Sequence, residues 1–178
     1  LNVSLKNNAS YYIGIKNSFQ KASSNSDSDI LHALWYDTTH TVENFITPKN
    51  IEQLDKAITL MMEASRINLL GLRSSRTVSL YLESAIDRFY PHVRQLSNES
   101  EFLYDKIFRL SAEEDIIIIF SAWPCTKRTI DVSAICRDRH VPIILVTNTS
   151  LNPIARYADI VIDTNSVNSG CGILPLMF

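Results

Sequence analysis

The chain has 178 residues, 46% of them hydrophobic and 20% charged, which is enough to bury one sizeable core. A formal charge of −2 gives no electrostatic ground for nucleic-acid binding, which wants a clustered basic face. No apolar run nears the roughly 20 residues of a membrane helix, and the N-terminus lacks the basic, apolar, small-residue order of a secretory signal, so the chain reads as soluble and cytoplasmic.

Residues 1–50 read as a helical appendage. Ser, Asn and Asp crowd positions 23–29, and Gly14 and Pro48 interrupt any regular pattern. Within it Ile30, Leu31, Leu34, Trp35, Thr38 and Val42 recur at three- and four-residue steps, the spacing of one buried helix stripe, with Asp27 or Ser28 as N-cap. A second stripe, Ile51, Leu54, Ile58, Met61 and Met62, predicts a helix from Pro48 to about Ser65.

From there short apolar runs alternate with helical patterns. Strands are predicted over 67–70, 92–96, 115–120, 142–146 and 159–162, and helices over 77–89, 101–110 and 128–137. The run Ile116-Ile117-Ile118-Ile119-Phe120 has no polar face, as in a central strand covered on both sides. The alternation predicts a three-layer α/β/α sandwich around a five-stranded parallel sheet. Right-handed crossovers then bring every strand-to-helix loop to one sheet edge, where such folds bind ligands.

Three loops lie on that edge. In Gly71-Leu72-Arg73-Ser74-Ser75, Gly71 is expected to allow a tight turn, Ser74 or Ser75 to cap the next helix, and Arg73 to offer a fork to phosphate oxygens. Capping alone also accounts for those serines. The second loop, residues 121–129, again ends in hydroxyls and cations at a helix start; Lys127 and Arg128 oppose the helix dipole there unless an anion is bound. In the third, Asn152 is expected to cap a short helix with Pro153 at its first position.

Taken in order, these segments resemble SIS (sugar isomerase) domains, most closely those of RpiR-type transcription regulators. Gly71-Leu72-Arg73-Ser74-Ser75 is similar to the family's G-x-G-x-S loop, with Ser75 on the phosphate-contacting serine. Ser121 and Thr126 match the first serine and the threonine of S-x-S-G-E-T, and Asn152-Pro153-Ile154-Ala155 with Ala158-Asp159 resembles S-P-L-A…A-D. Arg73 replaces the second glycine of the first loop, and Trp123 and Pro124 replace the second serine and the glycine of the other, restricting two backbone approaches.

The resemblance implies a phosphosugar-binding domain over residues 51–178, incomplete at its C-terminus, that senses a phosphorylated sugar without turning it over. Arg73, Ser74, Ser75, Ser121, Trp123, Thr126 and Lys127 are its expected ligand residues, with Trp123 available to stack on a ring. Residues 1–50 then form linker and dimer contacts, and DNA is reached only through a helix-turn-helix domain outside this chain. A homodimer or higher homo-oligomer is implied, with the 51–62 stripe as its surface. The alternatives are a dimerisation module that has lost its ligand and a phosphosugar isomerase. Glu99 and Glu101 are the best-placed bases, although they equally suit a helix N-terminus.

No catalytic residue, cofactor or metal is expected. His92 and His140 stand alone at strand entrances on the opposite edge, and His32 and His40 lack a third ligand. Cys125, Cys136 and Cys171 are odd in number, without C-x-x-C spacing, and read as free packing thiols. The chain starts at Leu1 and ends on Gly-Ile-Leu-Pro-Leu-Met-Phe, a stretch ill suited to a free tail, so it reads as a piece of a longer protein.

Overall fold

A computed structural model of the protein describes residues 27–98 and 102–166. Glu99, Glu101, Cys171 and the apolar end of the chain lie outside the described residues. Five parallel strands, β1 (Arg66–Gly71), β2 (Val93–Gln95), β3 (Asp115–Phe120), β4 (Ile143–Thr147) and β5 (Ile160–Asp163), form one sheet in the order β2-β1-β3-β4-β5. The helices are α1 (Asp27–Phe45), α2 (Pro48–Glu63), α3 (Ser75–Ile86), α4 (Leu103–Ile107) and α5 (Lys127–Asp138), with a 3₁₀ turn at Pro153–Arg156. The α/β/α expectation holds.

Side-chain alternation along the strands explains the layers. Leu70, Ile117, Ile119, Ile143 and Leu145 face one side and pack under α4, α5 and the 3₁₀ turn. Ile67, Leu69, Ile116, Ile118, Ile144 and Ile162 face the other, toward α2 and α3. Every residue of β3 is buried, as its apolar sequence requires.

Asp115 is the exception to that apolar run, and it is held at the bottom of the sheet. Arg66 forks onto it (Nε–Oδ1 2.9 Å, Nη2–Oδ2 2.8 Å), while the Asn68 amide and the Ser111 N–H also donate to it. Burial alone would raise its pKa, but these donors hold it down to about 2.

Two expectations about helix faces are corrected. The 51–62 stripe is split: Leu54 and Met61 pack toward the sheet, whereas Ile51, Ile58 and Met62 are exposed. A helix laid on a single sheet buries only a narrow arc, and a stripe this wide exceeds it. Trp35, assigned to a buried stripe of α1, is exposed (66%), because that face of α1 meets nothing among the described residues. At the start of α2, Thr47 caps the helix through Asn50 N–H. The Asn50 amide then bridges to the Asp163 backbone (Nδ2–O 2.7 Å), fixing α2 over β5.

Candidate functional site at the carboxyl edge of the sheet

The chain leaves β1 for β2 on one side, and β3 takes up the other side of β1, so the sheet changes direction between β1 and β3. Loops leaving such neighbouring strands diverge and open a crevice. Gly71 and Phe120 are the last register partners of β1 and β3, which starts the first two sequence-predicted loops side by side.

The first loop achieves its shape differently from expectation. A Cβ on Gly71 would lie 2.3 Å from the Ser75 carbonyl oxygen and 2.7 Å from its carbon. Gly71 therefore serves the close approach of α3 to β1 rather than the turn. The left-handed residue is Arg73, at φ 56°, on the position where the resembled pattern has its second glycine. The arginine thus takes the left-handed backbone that glycine adopts freely, at a cost of about 1 kcal/mol for a non-glycine residue.

Serine capping is also corrected. Ser74 stands at the N-cap position but is already helical (φ −63°, ψ −32°), and no side chain caps α3. A capping oxygen reaches its N–H only from an extended residue. Among the described residues, the N–H groups of Ser74 and Ser75 and the Ser75 hydroxyl have no hydrogen-bond partner. Ser74 and Arg73 are exposed, while Ser75 is buried in the first turn against β1. The helix start thus presents free donors and the positive end of its dipole toward the crevice, with Arg73 at the rim.

In the second loop Ser121 is buried directly after β3, Trp123 and Thr126 are half-buried, and Lys127 is exposed in the first turn of α5. The Trp123–Pro124 bond is cis. Thr126 caps α5, its hydroxyl accepting from Thr129 N–H at 3.2 Å and pairing with the Thr129 hydroxyl at 2.8 Å. That hydroxyl is therefore partly committed, whereas no side chain takes up the Ser121 hydroxyl among the described residues.

Two residues that the sequence reading did not place in the site hold this loop in position. Asn148 Oδ1 accepts from Trp123 N–H at 2.7 Å, and Asn152 Nδ2 donates to the Ser121 carbonyl at 2.9 Å and to Thr147 Oγ1 at 3.0 Å. Asn152 also caps the 3₁₀ turn as expected, accepting from Ile154 N–H. The usable signal for Asn148 was its position one residue past the end of a buried strand. On the other side of the crevice the Ser97 hydroxyl accepts from Gly71 N–H at 2.7 Å and pairs with Ser79, locking the end of β1 to the loop after β2.

Burial pushes the thiols of Cys125 and Cys136 up to about 11 and about 12 respectively, so neither is a thiolate nucleophile at neutral pH. Among the described residues no group of His, Cys, Asp or Glu could hold a metal ion, and no helix is long and apolar enough to cross a membrane.

A sequence model of the SIS domain matches residues 60–174, well over half of the chain. The chain belongs to the SIS domain family. A curated relative, an uncharacterized HTH-type transcriptional regulator of Thermotoga maritima, is 20% identical over 153 residues, covering 83% of this chain and 52% of the relative. The chain thus spans about half the length of that relative. Among solved structures, the sugar isomerase domain of an RpiR transcription factor from Sphaerobacter thermophilus superposes with a TM-score of 0.68 at 21% identity over 73% of this chain and 72% of the other. The NanR protein of Vibrio vulnificus complexed with ManNAc-6P superposes with a TM-score of 0.71 at 15% identity over 84% and 59%. At these identities the likeness shows the fold.

Proposed function

We propose that this SIS domain is the effector-sensing part of a cytoplasmic, RpiR-type transcription regulator of carbohydrate metabolism, and that it binds a phosphorylated sugar without turning it over. The observation that carries the reading is the uncapped start of α3, where the Ser74 and Ser75 N–H groups and the Ser75 hydroxyl lack partners among the described residues, directly after Arg73 in the chain. Unpartnered donors at a helix N-terminus match a phosphate, and an arginine fork adds charge-assisted bonds. The half-buried Trp123 ring offers a face to the sugar, and Lys127 a second cation. The T. maritima relative is named a transcriptional regulator and NanR was solved with a phosphosugar, which supports the same reading. DNA is then contacted by a helix-turn-helix domain outside this chain, and the domain pairs as a homodimer or higher homo-oligomer, with the exposed Ile51, Ile58 and Met62 edge of α2 as a candidate contact.

A titration calorimetry panel of aldose, ketose and amino-sugar phosphates tests the reading. At least one compound binds the wild-type domain, and Ser75→Ala and Arg73→Ala each weaken it by tenfold or more, since a hydrogen bond to a charged group contributes about 1.5–3 kcal/mol. No binder in the panel overturns the sensor. Conversion of the bound sugar, followed by NMR, overturns the claim of binding without turnover.

A further inference from the structure

Asn50, in the first turn of α2, is 5% exposed, and every polar atom of its side chain is used. Its Nδ2 donates to the carbonyl of Phe45, the last residue of α1, at 2.8 Å, and to the carbonyl of Asp163, the last residue of β5, at 2.7 Å. Its Oδ1 accepts from Asp163 N–H at 3.3 Å. One helical turn on, Gln53 Oε1 accepts from Val161 N–H at 3.2 Å, whereas Thr164 N–H goes to Thr147 O of β4. Helix α2 thus takes up the N–H groups that β5 turns away from β4, in the place where a sixth strand would lie. Fastening α2 to this edge needs only the bonds to β5; the bond from Asn50 to Phe45 brings in α1. Trp35 and Tyr36 of α1 are exposed while Phe45 packs onto the sheet core, so α1 is held toward its C-terminal end, at this corner.

The end of β5 belongs in turn to the ligand edge. Asp163 Oδ2 accepts from Ser150 N–H at 2.6 Å, and its Oδ1 from Asn165 N–H at 2.8 Å. Ser150 lies in the third loop, two residues after Asn148, whose side chain accepts from Trp123 N–H of the second loop at 2.7 Å. The bonds from Thr164 N–H to Thr147 O and from Ser166 N–H to Asn148 O carry the same two segments together past the strands. A continuous set of hydrogen bonds therefore runs from the second loop through Asn148, Ser150, Asp163 and Asn50 to the last carbonyl of α1. We propose that Asn50 is a positioning residue through which occupation of the second and third loops sets the direction of α1. The inference rests on the effector reading above, in which residues 1–50 link this domain to the part that contacts DNA. Such a coupling is reciprocal, so it also acts from the corner back onto the loops when no ligand is bound.

Backbone hydrogen exchange read by NMR tests it on this chain with Asn50→Asp and Gln53→Met, the amides of β3 serving as the reference for global unfolding. Aspartate at position 50 keeps an acceptor for Asp163 N–H and suits the first turn of a helix, but makes neither donation. Methionine at position 53 weakens only the fastening of α2 to β5. In the free chain, relative to β3, Asn50→Asp is expected to speed exchange at Ser150 and Trp123 about fivefold, the factor that one lost hydrogen bond leaves, and Gln53→Met to keep the wild-type rate. With the tightest binder of the sugar-phosphate panel, the wild type and Gln53→Met slow exchange across residues 44–52 by a similar factor. Asn50→Asp loses that slowing while residues 121–126 stay protected. Unchanged rates at Ser150 and Trp123 in free Asn50→Asp, or an equal rise in Gln53→Met, overturn the coupling whatever binds. Protection of 121–126 without protection of 44–52 in the wild type overturns it and leaves the sensor reading standing. No binder in the panel, with the free-chain difference present, overturns the sensor reading and upholds the tie from Asn50 to the loops.

Discussion

Replacing Gly71 by alanine separates the role this structure gives that glycine from a generic preference for alanine. Without a steric conflict, alanine inside a strand stabilises by about 0.5–1 kcal/mol through reduced freedom of the unfolded chain. Here the added methyl would sit 2.3 Å from Ser75 O and 2.7 Å from Ser75 C, both backbone atoms of α3. Restoring ordinary contact requires α3 to move by about 1 Å. Helix α3 buries Ser75, Val78 and Ser79 against the sheet, and Ser79 is bonded to Ser97, which holds Gly71 N–H. Such overpacking costs typically 1–3 kcal/mol, so Gly71→Ala is expected to destabilise by about 2–3 kcal/mol in urea unfolding with an unchanged slope. Effector binding in the calorimetric panel falls with it, because the displaced segment carries Ser74 and Ser75. Stability within about 0.5 kcal/mol of wild type, or any gain, refutes the close-approach account.

Two further outcomes follow from the same geometry. Arg73→Gly relieves the left-handed arginine and is expected to raise stability by about 0.5–1 kcal/mol while weakening phosphosugar binding tenfold or more, so that denaturation and calorimetry move in opposite directions. At the other end of the sheet, the Asp115 carboxyl is held at about 2, below its ordinary 3.8, so its contribution is complete above pH 3.8 and is lost as pH falls through 2. Acid unfolding followed by circular dichroism should show that loss in the wild type. Asp115→Asn should flatten it and lower stability at pH 7, because the buried carboxylate that accepts from Arg66, the Asn68 amide and the Ser111 N–H is lost and Arg66 keeps only Glu114 as its ion-pair partner among the described residues.

The sequence alone determined the sheet and most of what covers it. Consecutive apolar residues in 116–120 and 143–146 leave no solvent face, and the alternation with helical spacing leaves a parallel sheet as the economical way to bury them. The ligand edge follows from chain handedness, and Asn152 with Pro153 specified their own turn, because caps and first-turn prolines are local chemistry. The phosphosugar reading of Ser75, Ser121 and Thr126 came from the resemblance, and the structure adds that Thr126 already serves α5 as its cap.

Tertiary structure decided the rest. Whether Ser74 caps α3 depends on a backbone angle that the incoming strand imposes, and the need for Gly71 depends on how closely α3 crosses β1. Asn148 acquires its role only when β4 is laid beside β3 and its amide meets Trp123. The wide apolar stripe on α2 gave the helix but not its division into a sheet-facing row and an exposed row. Periodicity records how many faces are apolar, while the neighbour available to each face is set by distances across the sheet.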